Sequence, residues 1–159
     1  MIKILFVCHG NICRSPMAEF IFKHIVDQQG LSARFTIASA ATSAEEIWNG
    51  TGNPVYPPAK AELARHGIRC DGKRAVQLTR SDYQCYDLLI GMEQRNLTNM
   101  RRILGGDPEQ KLHLLLDYGK SPRDIADPWY TGDFERTYQD IMEGCQGLLD
   151  SMIYNGLQA

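Results

Sequence analysis

Cys8 and Arg14 stand six positions apart near the start of the chain, with Ser15 directly after. A thiol, a guanidinium and a hydroxyl at this spacing point to a sulfur nucleophile beside a bound anion. A free thiol at neutral pH is mostly protonated and a poor nucleophile. Thiols near a helix N-terminus and a fixed positive charge fall to a pKa of roughly 3.5–7.5. Arg14 offers a planar fork able to grip two phosphate oxygens at once, and Ser15 can donate to the sulfur. Between them lie His9, Gly10, Asn11, Ile12 and Cys13. Gly10 and Asn11 tolerate left-handed backbone. A loop needs such positions if its N–H groups are to curl inward into an anion-binding nest. Alone, a strand-end cysteine is more often a small buried hydrophobe, and Ser15 before Pro16 an ordinary helix cap. The combination reverses that balance.

The surrounding elements suit this use. Residues 2–8 form a continuous apolar run, which predicts a strand buried on both faces of a parallel sheet. Residues 16–29 read as a helix, with Met17, Phe20, Ile21, His24 and Ile25 on its apolar stripe and Gly30 at its exit. Further strands are expected at 35–38, 86–92 and 111–116. Further helices are expected at 59–66, 94–103 and 133–153, with a short one capped by Thr79 or Ser81. Residues 39–43, 44–58 and 117–132 read as loops. Strands alternating with helices predict a doubly wound, flavodoxin-like α/β fold: four parallel strands with helices on both faces, one domain over residues 1–159. Such folds bind ligands beyond the carboxyl ends of their strands, where Cys8 falls.

Composition narrows the function. With a net charge of −2 and no long basic run, there is no electrostatic case for nucleic acid or an anionic membrane. No apolar stretch approaches the ~20 residues needed to span a bilayer, and the N-terminal run is unlike a signal peptide, so a cytoplasmic location is expected. Five cysteines without a secretory signal argue against a disulfide framework, and zinc spacing is absent. No metal and no cofactor are expected. Phosphate ester hydrolysis also needs a proton for the leaving oxygen, which a carboxylic acid on a loop can supply. Asp127, followed by Pro128, Trp129 and Tyr130, is the candidate, although Asp-Pro by itself is usually a turn former.

Residues Cys8 to Glu19 resemble the signature of the low-molecular-weight protein tyrosine phosphatases. The likeness returns in residues 39–43, 52–54, 66–68 and 127–130. It implies a phosphotyrosine phosphatase working through a phosphocysteine. Cys8 would be the nucleophile, Arg14 and the loop from His9 to Ser15 the phosphate cradle, and Asp127 the general acid and then base. Ser15 and Ser39 would support Asn11. Ile12, Trp48, Trp129 and Tyr130 are candidate walls for a phenyl ring. Cys13 would be a reversible redox partner of Cys8. The expected partner is a phosphotyrosine protein, and self-association is expected to be weak or absent. Two departures stand out. Relatives often carry His near position 73, bonded to the loop asparagine, and Arg near 76, where this chain has Lys73 and Val76. Glu93 stands where many relatives have Asp.

Rival readings are a protein-arginine phosphatase, an arsenate reductase and a non-catalytic phosphotyrosine-binding module. Arginine phosphatases of this fold carry Thr where Ile12 stands. Arsenate reductases use two closely spaced mid-chain cysteines, whereas Cys70 and Cys85 are fifteen residues apart. A binding module would be expected to have lost Cys8 or Asp127.

Overall fold

The structure, a computed structural model, describes residues 1–158. In chain order the elements are β1 (Ile2–Cys8), α1 (Arg14–Gln28), β2 (Phe35–Ala41), β3 (Ile47–Trp48), β4 (Thr51–Gly52) and α2 (Pro57–Arg65). Then follow α3 (Asp82–Cys85), β5 (Leu88–Gly91), α4 (Gln94–Leu104), β6 (Leu112–Leu114), α5 (Pro128–Thr131) and α6 (Phe134–Tyr154). The main sheet runs β2-β1-β5-β6, and all its pairings are parallel. The chain leaves β1 for β2 on one side, then crosses to β5 on the other. The crevice at that reversal lies at the carboxyl end of β1, where Cys8 sits.

Strand β1 is buried on both faces because its alternate side chains feed two cores. Ile2, Ile4 and Phe6 pack with α1, α2 and α6 through Phe22, Leu63 and Ile141. Leu5 and Val7 pack with α3 and α4 through Tyr83, Leu97 and Met100. Helices therefore cover both faces, as the alternating pattern required. Among the described residues no helix is long and apolar enough to cross a membrane.

Several boundaries differ from the sequence reading. Strand β2 continues through Ser39 to Ala41, because Phe6, Val7 and Cys8 pair alongside those small residues. Residues 44–58 are not wholly irregular. They hold the β3–β4 hairpin and the start of α2, whose first two residues are Pro57 and Pro58. The last sheet strand stops at Leu114, and Leu115–Tyr118 turns into a 3-10 helix. An apolar run such as Leu114-Leu115-Leu116 cannot by periodicity alone be told from a longer strand. Within the 117–132 loop, Pro128–Thr131 forms the short helix α5.

Candidate active site

The loop from Cys8 to Ser15 joins β1 to α1 and curls around the Cys8 sulfur. Asn11 takes the left-handed conformation, φ +59°, that its residue type permits. This turns the chain so that the Asn11 N–H and the Ser15 N–H both point at Sγ, each at 3.4 Å. The Ser15 hydroxyl lies 3.0 Å from the same sulfur. Helix α1 starts at Arg14, so the positive end of its dipole opens onto this spot.

Asn11 is the knot of the loop. Its Nδ2 donates to Ser15 Oγ at 2.7 Å and to Ser39 Oγ at 3.0 Å, while its Oδ1 accepts from the Val76 N–H at 3.0 Å. Ser39 in turn donates to Glu19 at 2.6 Å. Glu19 also pairs with Lys23 at 2.6 Å, and the Lys73 ammonium donates to the Ser39 carbonyl at 3.0 Å. Burial pulls the Lys73 ammonium below the ordinary lysine range, against the opposing pull of Glu19. At the two positions where the chain departs from the family pattern, Lys73 thus supports the Ser39 carbonyl and the Val76 N–H supports Asn11.

Arg14 is buried and binds three groups from the opposite side. Its guanidinium donates to Glu93, to the Ile125 carbonyl at 2.9 Å and to Asp127 at 3.4 Å. Burial disfavours its charge, but the Cys8 sulfur, Asp127 and Glu93 together hold the proton more firmly than in a free arginine. Asp127 caps α5 by accepting the Trp129 N–H at 3.0 Å. Asn96 reaches back to accept the N–H groups of Met92 and Glu93, at 2.9 Å and 3.0 Å, and so fixes the start of α4.

Together these groups line a cavity of about 130 Å³. Cys8, the loop and Arg14 form its floor, and Asp127, Trp129 and Tyr130 form one wall. Trp129 is backed by Tyr56, with ring centroids 4.8 Å apart. A sulfur, a fixed guanidinium and a carboxyl converging on one cavity can attack, hold and protonate a phosphate ester.

A family model described as low molecular weight phosphotyrosine protein phosphatase matches residues 3–157. The chain belongs to this family. It is 39% identical over 154 residues to the low molecular weight protein-tyrosine-phosphatase YfkJ of Bacillus subtilis, covering 96% of each chain. It is 36% identical over 153 residues to the human low molecular weight phosphotyrosine protein phosphatase, covering 93% of this chain and 94% of that one. The crystal structure of YfkJ superposes with a TM-score of 0.91, covering 98% of this chain and 96% of that one.

The residues expected at the site divide into three groups. Cys8, His9, Gly10, Asn11, Ile12, Cys13, Arg14, Asp127, Trp129 and Tyr130 all line the cavity. Ser15 and Ser39 lie beneath it, bonded to Asn11. Trp48 does not line it. On the two-residue strand β3, side chains alternate, so Ile47 packs against Ile12 and Cys13 while Trp48 points away and is 80% exposed. Cys13 is a buried free thiol. Burial first, then the neighbouring Cys8, pushes its pKa up to about 12.

Sequence reasoning missed Glu45 and Glu46, which line the cavity opposite the aromatic wall. It also missed Tyr56. No local pattern marks these residues, because the hairpin that carries them reaches the site only through tertiary pairing.

Proposed function

We propose that the cleft hydrolyses phosphotyrosine in proteins through a phosphocysteine on Cys8, within one catalytic domain. Cys8 Sγ attacks phosphorus as the bond from phosphorus to the phenolic oxygen breaks. Asp127, protonated at this stage, gives its proton to the leaving oxygen. A water molecule then attacks the phosphocysteine and Asp127 takes its proton. The phosphorus–sulfur bond breaks, releasing inorganic phosphate and the thiolate. Arg14 and the inward N–H groups hold the equatorial oxygens where negative charge gathers, help worth about 3–4 kcal/mol per well-placed donor. The observation that carries this reading is a sulfur with two N–H donors and a hydroxyl gathered on it, on the floor of a cavity that also holds Arg14 and Asp127.

Ile12, 8% exposed within the loop, supports an aryl ester over a phosphoguanidinium, which would gain from a smaller polar neighbour. The test is a pair of assays, on an aryl phosphate and on a phosphoarginine peptide, for wild type, Cys8→Ser and Ile12→Thr. Wild type should favour the aryl phosphate, Cys8→Ser should be inactive, and Ile12→Thr should narrow the preference. Cys8→Ser with wild-type activity would sink the mechanism, and a wild-type preference for phosphoarginine would sink the substrate.

A cysteine nucleophile suits a reducing compartment, the cytoplasm, and needs protection from oxidants. Cys13 supplies it in this reading. A Cys8 sulfenic acid condenses with the Cys13 thiol to a disulfide and water. Peroxide-treated enzyme should recover activity with dithiothreitol, and Cys13→Ala should recover less. Equal recovery would remove Cys13 from this role.

A further inference from the structure

The cleft is poor in positive charge for one that receives a phosphate. Among the described residues lining it, Arg14 is the sole lysine or arginine, and it shares the cavity with Glu45, Glu46 and Asp127. The His9 ring lies 3.1 Å from Glu45. A bound phosphate dianion has Glu45 and Glu46 as like-charged neighbours at this mouth, with the loop N–H groups and Arg14 to hold it.

Glu45 is an exposed rim residue, whereas Glu46 is fixed in place. Glu46 is held by a neutral partner, Asn53, whose Nδ2 donates to its carboxylate at 2.7 Å and whose N–H donates to its carbonyl at 2.8 Å. The Ala75 N–H donates to the Asn53 carbonyl at 2.9 Å. Gly52 lies so close to Ala75 that a Cβ there would stand 1.9 Å from its carbonyl oxygen, so only glycine lets the hairpin seat. This seating brings the Glu46 stem over the loop, 3.3 Å from where a Cβ on Gly10 would be.

A separate feature shows where a substrate could bring charge. Past Asp127 and Tyr130 the cleft opens into a second hollow of about 430 Å³, also walled by Glu45. Arg95 and Asp124 face it as well. Asp124 accepts the Gln94 N–H at 3.0 Å, and Glu93 is taken up by Arg14. The hollow shares His9, Arg14 and Asp127 with the catalytic cavity, so a residue next to a bound phosphotyrosine would lie in it or across its rim.

We propose that Glu45 and Glu46 are specificity residues that select phosphotyrosine flanked by lysine or arginine. The inference rests on the phosphotyrosine reading of the cleft and adds to it the class of peptide. A neighbouring cation in the substrate offsets the carboxylates that an isolated phosphate must overcome.

The test compares kcat/KM for matched phosphotyrosine peptides carrying Lys and Arg, or Glu and Asp, beside the phosphotyrosine, with a small aryl phosphate alongside. Wild type and Glu45→Gln/Glu46→Gln are assayed at low and high salt. Wild type should favour the basic peptide by about tenfold at low salt, and less at high salt as the charges are screened. In the double variant the ratio should shrink to about twofold or less, and KM for the aryl phosphate should fall as repulsion is removed. Equal treatment of the peptides by wild type, or a preference that the double variant and salt leave intact, overturns the proposal. A wild type that hydrolyses the aryl phosphate but ignores the flanks defeats this inference alone. One that hydrolyses neither substrate defeats the phosphatase reading beneath it.

Discussion

The floor and the wall of the cleft are held in different ways. In the floor, Asn11 and Ser15 are buried, and a run of hydrogen bonds ties them through Ser39 and Glu19 to α1 and Lys73. The wall is a looser structure. Trp129 is 53% and Tyr130 82% exposed. The segment that carries them is tied down by the Ile125 N–H to the Met92 carbonyl, by Tyr56 behind Trp129, and by Arg14. In the proposed mechanism the thiol is thus prebuilt for attack, whereas the position of the acid depends on a guanidinium that must also hold substrate. Of the Arg14 contacts, the 3.4 Å reach to Asp127 is the longest, and a phosphate oxygen can most easily take it over.

Breaking the one side chain shared by both regions should have the largest effect. Arg14→Lys keeps the charge but loses the fork, so kcat on an aryl phosphate should fall by about 10²–10³ or more. The melting temperature should fall with it, because the Ile125 carbonyl and Glu93 lose a buried donor. A variant with near-normal kcat would show that the phosphate is held by the loop alone.

Asp127→Asn should separate wall from floor. An asparagine can still accept the Trp129 N–H, so the cap on α5 and the melting temperature should hold. Its kcat should fall by about 10²–10³ on phenyl phosphate, whose leaving oxygen needs a proton, and far less on p-nitrophenyl phosphate. The same loss on both substrates would remove Asp127 from proton transfer.

Asn11→Ala strikes the floor. It deletes three hydrogen bonds and forces alanine into left-handed backbone. At about 1 kcal/mol per bond and 1–2 for the backbone, a loss of about 4–5 kcal/mol is expected. Thermal unfolding should move down by roughly 8–20 °C, at about 2–4 °C per kcal/mol. A shift under about 1 kcal/mol would mean that the loop is held mainly by its backbone.

The floor was legible in the sequence and the rim was not, for one physical reason. The floor is local. An apolar run, Gly10-Asn11, Arg14 and Pro16 lie within a few residues and each fixes its own part of a strand–loop–helix unit. Asp127 has little local signal beyond a turn, and the family resemblance brought it into view. Glu45 and Glu46 reach the cleft only because the hairpin pairs with the segment around Ala75. Trp48 was picked out on residue type, since nothing before the fold said that β3 would alternate Ile47 inward and Trp48 outward. Lys73 has the same character: a lysine in a predicted loop gives no sign that burial and Glu19 will make it part of the floor.

The smallest effect tests how dry the core around that floor is. Burial pushes Cys13 up to about 12, raises Cys145 as well, and together with nearby Asp117 pushes Tyr118 up to about 12. Each is an acid that keeps its proton in the fold beyond the pH at which the unfolded chain gives it up, near 8.5 for a thiol and about 10 for a phenol. Above those values the unfolded state binds fewer protons than the folded one, so unfolding free energy falls as pH rises. Their contribution is complete below about pH 8 and declines toward pH 12. The melting temperature, followed by circular dichroism from pH 8 to 11, should therefore drop by several degrees. Tyr118→Phe should flatten the upper part of that drop, because phenylalanine has no proton to lose. A flat profile in wild type would mean that water reaches these groups. The floor would then owe its order to the Asn11 bonds rather than to a dry surround.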